Sequence, residues 1–314
     1  MTENPIVTAQ PTPNAVKIWF TAVRPFAYPA SALPVILGLA LVVHAGHTIN
    51  WALAALTMVG VLSFHTAANL LNDCFDHHRG TDDSILPTSG AIVRGWLTEK
   101  QVYRAALVSL GLGMACGAAL IPAAGWLVFA LGSLGTLFTV GYTRRGRCLK
   151  YAGLGDVTIF IAFGLLPVFG TYWVQTRTLS WLPILWSLPL ASLTVGILHA
   201  NNWRDIPTDT ANGCRTVAAR LGDHGSGVYY RCLVIAPYIL TSLYLAIALT
   251  ANSPGLAPRT VGLVLIALPA SLELTRVHRE TNRATFMMLD ARTAQLQLLF
   301  GVLLCLAFVA GQYW

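Results

Sequence analysis

Nine apolar blocks, each long enough to cross a hydrocarbon layer, constrain this chain more than anything else in it. They span roughly residues 26–46, 51–71, 103–121, 124–141, 154–174, 181–200, 228–249, 260–275 and 293–312. A bilayer core about 30 Å thick takes about 20 apolar residues of helix to cross, and residues in lipid must bond their own backbone. Composition agrees, with 55% hydrophobic and 11% charged residues among 314, where a soluble domain carries about 25% charged. The blocks predict an all-α polytopic membrane protein of nine transmembrane helices. A single domain is expected over 17–314, behind a flexible Thr/Pro/Asn/Gln tail at 1–16 with no cleavable signal peptide evident.

The links between blocks alternate in length and charge. Of 20 Lys and Arg, only Arg177 and Arg259 fall on one face, which leaves 18 on the other. The positive-inside rule then puts the N-terminus in the cytoplasm and Trp314 outside, with Tyr313 and Trp314 suited to an interfacial belt. The formal charge of +7 therefore reports topology before partners, and no nucleic-acid partner is implied. The six cysteines are scattered without a CxxC, so each reads as a buried apolar residue or a reduced thiol. Gly113 with Gly117, and Gly132 with Gly135, read as small faces where helices approach closely. Pro25, Pro29, Pro34, Pro167, Pro189 and Pro237 are expected to kink their helices.

All 13 acidic residues lie at the basic face, and six of them fall in two windows. The first, Asn72-Asp73-Cys74-Phe75-Asp76-His77-His78-Arg79-Gly80-Thr81-Asp82-Asp83, closes the second block. The second, Asn201-Asn202-Trp203-Arg204-Asp205-Ile206-Pro207-Thr208-Asp209, closes the sixth. Asp73 and Asp76 share a face at i,i+3, as do Asn201, Asp205 and Asp209 at i,i+4,i+8. Oxygen ligands on two helices repel each other when bare, and a hard cation bridging to phosphate offsets that repulsion. Mg2+ suits such a site, taking one or two carboxylates with water and phosphate. Arg79, Arg94, Arg204 and Arg215 lie near enough in sequence to hold the remaining phosphate charge. Three other readings stay open on the residues alone: solvated loop acids, an ion- or metabolite-coupled transporter, and a His-based metal oxidase drawing on His65, His199 and the His77-His78 pair. No acid sits in the middle of a block, and no HxxHH cluster is present. His77 and His78 are expected in a loop.

Asn72-Asp-x-x-Asp76 with Gly80-x-Asp82, and Asp205-x-x-x-Asp209 within NNWRDIPTDT, resemble the two aspartate motifs of the UbiA superfamily of intramembrane prenyltransferases. YAGLGDVTIFIAFGLLPVFGTYWVQT (151–176), ILHANNWRDIPTD (197–209), GCRTVAARLG (213–222) and RTAQLQLLFG (292–301) are similar to its MenA branch and animal relatives. The resemblance covers about 17–312 and implies a central cavity capped by two cytoplasmic loops, in the inner membrane, with the active site facing the cytoplasm. It implies Mg2+ held by Asn72, Asp73, Asp76 and Asp82 and by Asn202, Asp205 and Asp209, with Arg79, Arg94, Arg204 and Arg215 on diphosphate. An isoprenyl diphosphate would be the donor and an aromatic ring the acceptor, 1,4-dihydroxy-2-naphthoate in menaquinone synthesis, or otherwise 4-hydroxybenzoate or homogentisate. Tyr142, Tyr151 and Phe160 would face the allylic cation, and Asp156 would orient or deprotonate the acceptor hydroxyl. Two departures stand out: the family's frequent Gly-Lys-Arg-Thr reads Gly213-Cys214-Arg215-Thr216, and residue 210 is Thr where the branch often has Arg.

Overall fold

The computed structural model describes residues 14–79, 90–143 and 148–312, with His78, Arg79 and Thr143 described by backbone alone. Every regular element among these residues is helical. In chain order they are α1 Ala15–Val23, α2 Pro29–His44, α3 Trp51–Arg79, α4 Glu99–Ala124, α5 Trp126–Thr143, α6 Gly155–Ile159, α7 Leu166–Thr176, α8 Leu182–Arg204, α9 Ile206–Ala211, α10 Val217–Thr250, α11 Leu268–Leu274, α12 Arg283–Met287 and α13 Leu289–Ala310. Residues 1–13 of the expected tail, Asp82, and the belt residues Tyr313 and Trp314 lie outside the described set. The tail as expected ran to residue 16. Asn14 instead caps α1, its side-chain oxygen accepting from the Lys17 amide at 2.9 Å, so the helix begins at Ala15.

Among the described residues six helices are long and apolar enough to span a membrane: Trp51–His77, Glu99–Ala124, Lys150–Thr176, Leu182–Arg204, Val217–Thr250 and Leu289–Ala310. A seventh counts if Ala15–Ala27 and Pro29–His44, bent by 47°, form one span. That bend falls where Pro25 and Pro29 deny amide donors to a continuous helix. The eighth block is not one helix either. Arg259–Ala267 winds tightly as 3-10, and Pro269 sits at the start of α11. The fifth span is the least regular, since π-helical turns Lys150–Leu154 and Phe160–Leu165 flank α6. Such turns concentrate at functional sites.

The helices pack inward on a core of α2, α8, α10, α13 and the Arg259–Ala267 turn, centred on Trp186, Leu190, Phe300 and Phe308. Trp186 donates its indole N–H to the Leu256 carbonyl at 2.7 Å, so this buried ring leaves no polar atom unmet. Outward lie Val108, Met114, Phe129, Leu137, Ile239 and Ile266, large apolar side chains left exposed. That inversion is what a lipid-facing surface requires, and in water it would make a liability of every span. At the basic end, Ile18, Leu70, Leu71, Ile92 and Val102 form a smaller cluster joining α1, α3 and α4. Thr98 and Gln101 close the start of α4 with a reciprocal capping box.

Candidate active site

The first acid window does not leave α3. The helix continues through Asn72, Asp73 and Asp76 to Arg79, so His77 and His78 are helical residues and not the loop pair expected from sequence. Asp73 and Asp76 are buried, 3% and 5% exposed, and each is met by a cation from elsewhere in the chain. Arg24 pairs with Asp73. Lys150 donates to Asp76 Oδ2 at 3.0 Å and Asn72 Oδ1 at 3.4 Å, while the Tyr151 hydroxyl donates to Asp76 Oδ1 at 2.8 Å. Arg24 reaches Asp73 from a left-handed backbone, φ 57°, a conformation that costs a non-glycine residue energy and marks functional sites.

The second window brackets the end of α8. Asp205 is the residue at which α8 stops and α9 begins, and its Oδ1 accepts from Arg204 Nε at 3.0 Å. Arg204 is 8% exposed and also bonds Asn201 and, at 2.9 Å, Asp290 Oδ2 of α13. Arg204 therefore straps the second motif to the last helix before it does anything to a phosphate. Asp209 lies on α9, where burial pushes its carboxyl up to about 6. Lys150 pulls against that rise, whereas Asp205 and Asp76 add to it, so both windows act on one another through space. The Asp209 carboxylate also accepts from the Thr216 hydroxyl at 3.4 Å. Cys214, standing where the family often has Lys, is buried with its amide on the Asp209 carbonyl at 2.8 Å.

Between the windows opens a cavity of about 270 Å³, lined by Asn72, Tyr142, Lys150, Asn201 and Asp290 among others. Asn201 faces it and Asn202 does not. Consecutive residues on a helix point about 100° apart, so Asn202, expected as a ligand, turns into the protein, 3% exposed, while Asn201 lines the cavity. Asp156 is likewise buried and does not line the cavity. Its Oδ2 lies 3.6 Å from His199 Nδ1 of α8, an ion-pair distance beyond hydrogen bonding. Tyr142 does line the cavity, with Phe138 and Phe163 as the other aromatic walls; Phe160 does not. Tyr151 is committed to Asp76. Arg94 stacks over Trp96 at 4.9 Å, and Arg215 is exposed on the link before α10. The Arg79 side chain and Asp82 lie outside the described residues.

Sequence reasoning missed Arg24, Lys150 and Asn201's orientation. The first two had been counted only as topology markers, although Lys150 directly precedes Tyr151 and the GLGD stretch.

The donor set fits a hard cation. Among the described residues no group of three or more His, Cys, Asp or Glu stands ready to hold a metal alone. An ion sharing its shell with diphosphate needs only one or two carboxylates. Asp76 with Asn72 supplies such a pair, and its present contact with the Lys150 ammonium shows that it draws positive charge.

A bundle of apolar helices with acids at two helix ends, Asp73 and Asp76 buried and Asp205 and Asp209 half-buried, beside one cavity has the make-up of an intramembrane transferase. Residues 31–299 match the model of the UbiA prenyltransferase family, and the chain belongs to that family as a prenyltransferase. It is 30% identical to the Escherichia coli 1,4-dihydroxy-2-naphthoate octaprenyltransferase over 312 residues, 96% of this chain and 97% of that protein. It is 34% identical to the UbiA prenyltransferase domain-containing protein 1 of Xenopus tropicalis, across 90% of this chain and 78% of that one. Its fold matches a UbiA homolog from Archaeoglobus fulgidus bound to GPP and Mg2+, TM-score 0.59 at 15% identity, covering 93% and 99% of the two chains. The apo UbiA homolog from Aeropyrum pernix gives TM-score 0.61 at 14% identity, covering 94% and 98%. The family assignment displaces the transporter and metal-oxidase readings.

Proposed function

We propose that this enzyme transfers a polyprenyl group from an isoprenyl diphosphate to 1,4-dihydroxy-2-naphthoate with loss of CO2, in menaquinone biosynthesis. The observation that carries the reading is Lys150 bridging Asn72 and Asp76 beside a cavity that Asn72, Lys150 and Asn201 all line. The acceptor is argued from the whole-length similarity to the Escherichia coli naphthoate enzyme. In the proposed arrangement Asn72, Asp73 and Asp76, with Asp82, hold one Mg2+, and Asn201, Asp205 and Asp209 hold a second. Bound there, Mg2+ neutralises charge that develops on the diphosphate as it leaves.

Lys150 and Arg24, now on Asp76 and Asp73, would bond phosphate oxygens if those carboxylates held a metal ion. In the same proposal Arg79, Arg94 and Arg215 would supply further cationic charge to the diphosphate. The allylic C–O bond breaks with its electron pair leaving on diphosphate. Tyr142, Phe138 and Phe163 keep water from the cation and present ring faces to it. The acceptor's carboxylate is drawn to the cationic mouth while its ring enters the cavity. The carbon bearing that carboxylate forms the new C–C bond, and CO2 departs leaving its bonding pair to restore the aromatic ring. Asp156 acts through His199 and α8, as a positioning residue.

The same reading keeps residues 17–314 as one domain crossing the inner membrane nine times, with α5 and the 259–274 pair as the two shorter crossings. The N-terminus and cavity mouth face the cytoplasm. Competition in membranes, with a labelled donor and equal 1,4-dihydroxy-2-naphthoate, 4-hydroxybenzoate and homogentisate, tests the acceptor. Preferred labelling of the naphthoate product is expected; preference for 4-hydroxybenzoate or homogentisate overturns the menaquinone assignment.

A further inference from the structure

The part of the cavity wall that α8 contributes is a single stripe, Thr194, Ile197, Leu198 and Asn201, at the i, i+3, i+4, i+7 spacing of one helix face. Two apolar side chains lie between two polar ones. Asn201 belongs to the second acid window, and Thr194 lies two turns further into the span, about 10 Å away along the helix. A threonine so placed, 4% exposed, has to find partners for its hydroxyl.

The hydroxyl proton goes to the Leu190 carbonyl one turn back, at 3.0 Å. The oxygen accepts from the side-chain amide of Gln297, on α13, at 2.6 Å. A hydroxyl has one proton and two lone pairs, so what Thr194 still offers the cavity is one lone pair and no donor. Thr158, also on the cavity wall, gives its proton to the Leu154 carbonyl at 2.8 Å, but no other helix anchors its oxygen among the described residues. Gln297 is fully buried, and its Oε1 meets no partner among them. An unmet amide oxygen in the interior costs energy that a leucine at 297 would avoid. What the glutamine does there is hold the Thr194 oxygen in place, able only to accept.

Arg24 and Lys150, paired with the first window, line the same cavity. A ligand's carboxylate is drawn to these cations, which leaves an acceptor-only oxygen for a hydroxyl elsewhere on its ring. In 1,4-dihydroxy-2-naphthoate the hydroxyl at carbon 1 adjoins the carbon bearing the carboxylate and feeds electrons to it. The hydroxyl at carbon 4 is meta to that carbon and feeds it nothing, so it is free for recognition. Resting on the naphthoate reading, we infer that Thr194 accepts a hydrogen bond from the acceptor's 4-hydroxyl, with Gln297 as its positioning residue, and so selects rings that carry that group. A site built to bond a hydroxyl disfavours an analogue without it, because the site's own polar group is then left unmet.

The test titrates full-length protein with 1,4-dihydroxy-2-naphthoate and with 1-hydroxy-2-naphthoate, which keeps the carboxylate and lacks the 4-hydroxyl. Binding is read directly, so the analogue need not react. The unsubstituted protein should bind the dihydroxy ring about tenfold more tightly, and Thr194→Val should bring the two affinities within about twofold by weakening that ligand alone. Thr194→Ser should keep most of the difference, and Gln297→Leu, which touches no ligand, should narrow it. An undiminished ratio in Thr194→Val, or equal weakening of both ligands, overturns the inference; an undiminished ratio in Gln297→Leu overturns the positioning role. The 4-methoxy ether of the acceptor gives a readout independent of variant folding, since it has no proton to donate. The unsubstituted protein should bind it no better than 1-hydroxy-2-naphthoate; binding as tight as the parent contradicts the inference. Failure to bind any of these naphthoates, with 4-hydroxybenzoate or homogentisate bound instead, would refute the naphthoate reading and this inference with it.

Discussion

Asp209 joins the electrostatics of the site to an observable pH dependence. Burial raises its carboxyl to about 6, above the ordinary 3.8, so it stays protonated to higher pH than a solvated aspartate. A metal ligand must lose that proton, so proton and Mg2+ compete. The Mg2+ concentration for half-maximal activity should rise as pH falls below about 6 and level off above about 7. Asp209→Asn should abolish that pH dependence along with most turnover. Asp76→Asn should cost at least about 100-fold in kcat, near 2.7 kcal/mol, and should also lower the Tm, because Lys150 loses its buried counter-charge. Asp76 and Asp209 were legible because carboxylates at a membrane boundary need a partner. Arg24 and Lys150 were not, because a basic residue beside a span has a sufficient topological reason to be there. Nor did the motif separate Asn201 from Asn202, since which one faces the cavity depends on how α8 is rotated against its neighbours.

At the scale of elements, the irregular fifth span sets the cavity wall. Its π-helical turn Phe160–Leu165 brings Gly164 against Ala191 of α8 so closely that a Cβ on Gly164 would overlap the Ala191 methyl. Gly164→Val should therefore destabilise the protein by about 1–3 kcal/mol, read as a lower Tm in detergent, while Ala191→Gly should partly restore it. At the basic end α8 is strapped by Arg204 to Asp290 and by Arg279, which bonds the Trp203 carbonyl and Asp223 Oδ1, the latter at 2.7 Å. Apolar length located most helices, but not the run of α3 on to Arg79 or the start of α10 at Val217, where the helices carry polar residues past the apolar blocks. It could not give the 3-10 start of the eighth or the π-helical turns of the fifth, because both answer to packing partners far away in the chain. Gly117, Gly132 and Gly135 read as close packing for the same reason, yet a Cβ on any of them would meet nothing within 4 Å. A small-residue spacing is the same whether another helix or an empty space lies opposite.

For the whole molecule, the basic residues gathered at one end make orientation the broad expectation. Single cysteines at 96, 212 or 280 should react with an impermeant thiol reagent only from the cytoplasmic side, in a variant lacking exposed Cys232; reaction of any of them from outside the intact membrane reverses the topology. The central claim is that the two windows form one diphosphate-releasing site beside one cavity. Diphosphate released by purified protein given an isoprenyl diphosphate and 1,4-dihydroxy-2-naphthoate tests it most directly. Mg2+-dependent release is expected, matched one-to-one by CO2, stopped by EDTA and lost in Asp76→Asn; release that persists in EDTA, or at a normal rate in Asp76→Asn, would rule out such a site.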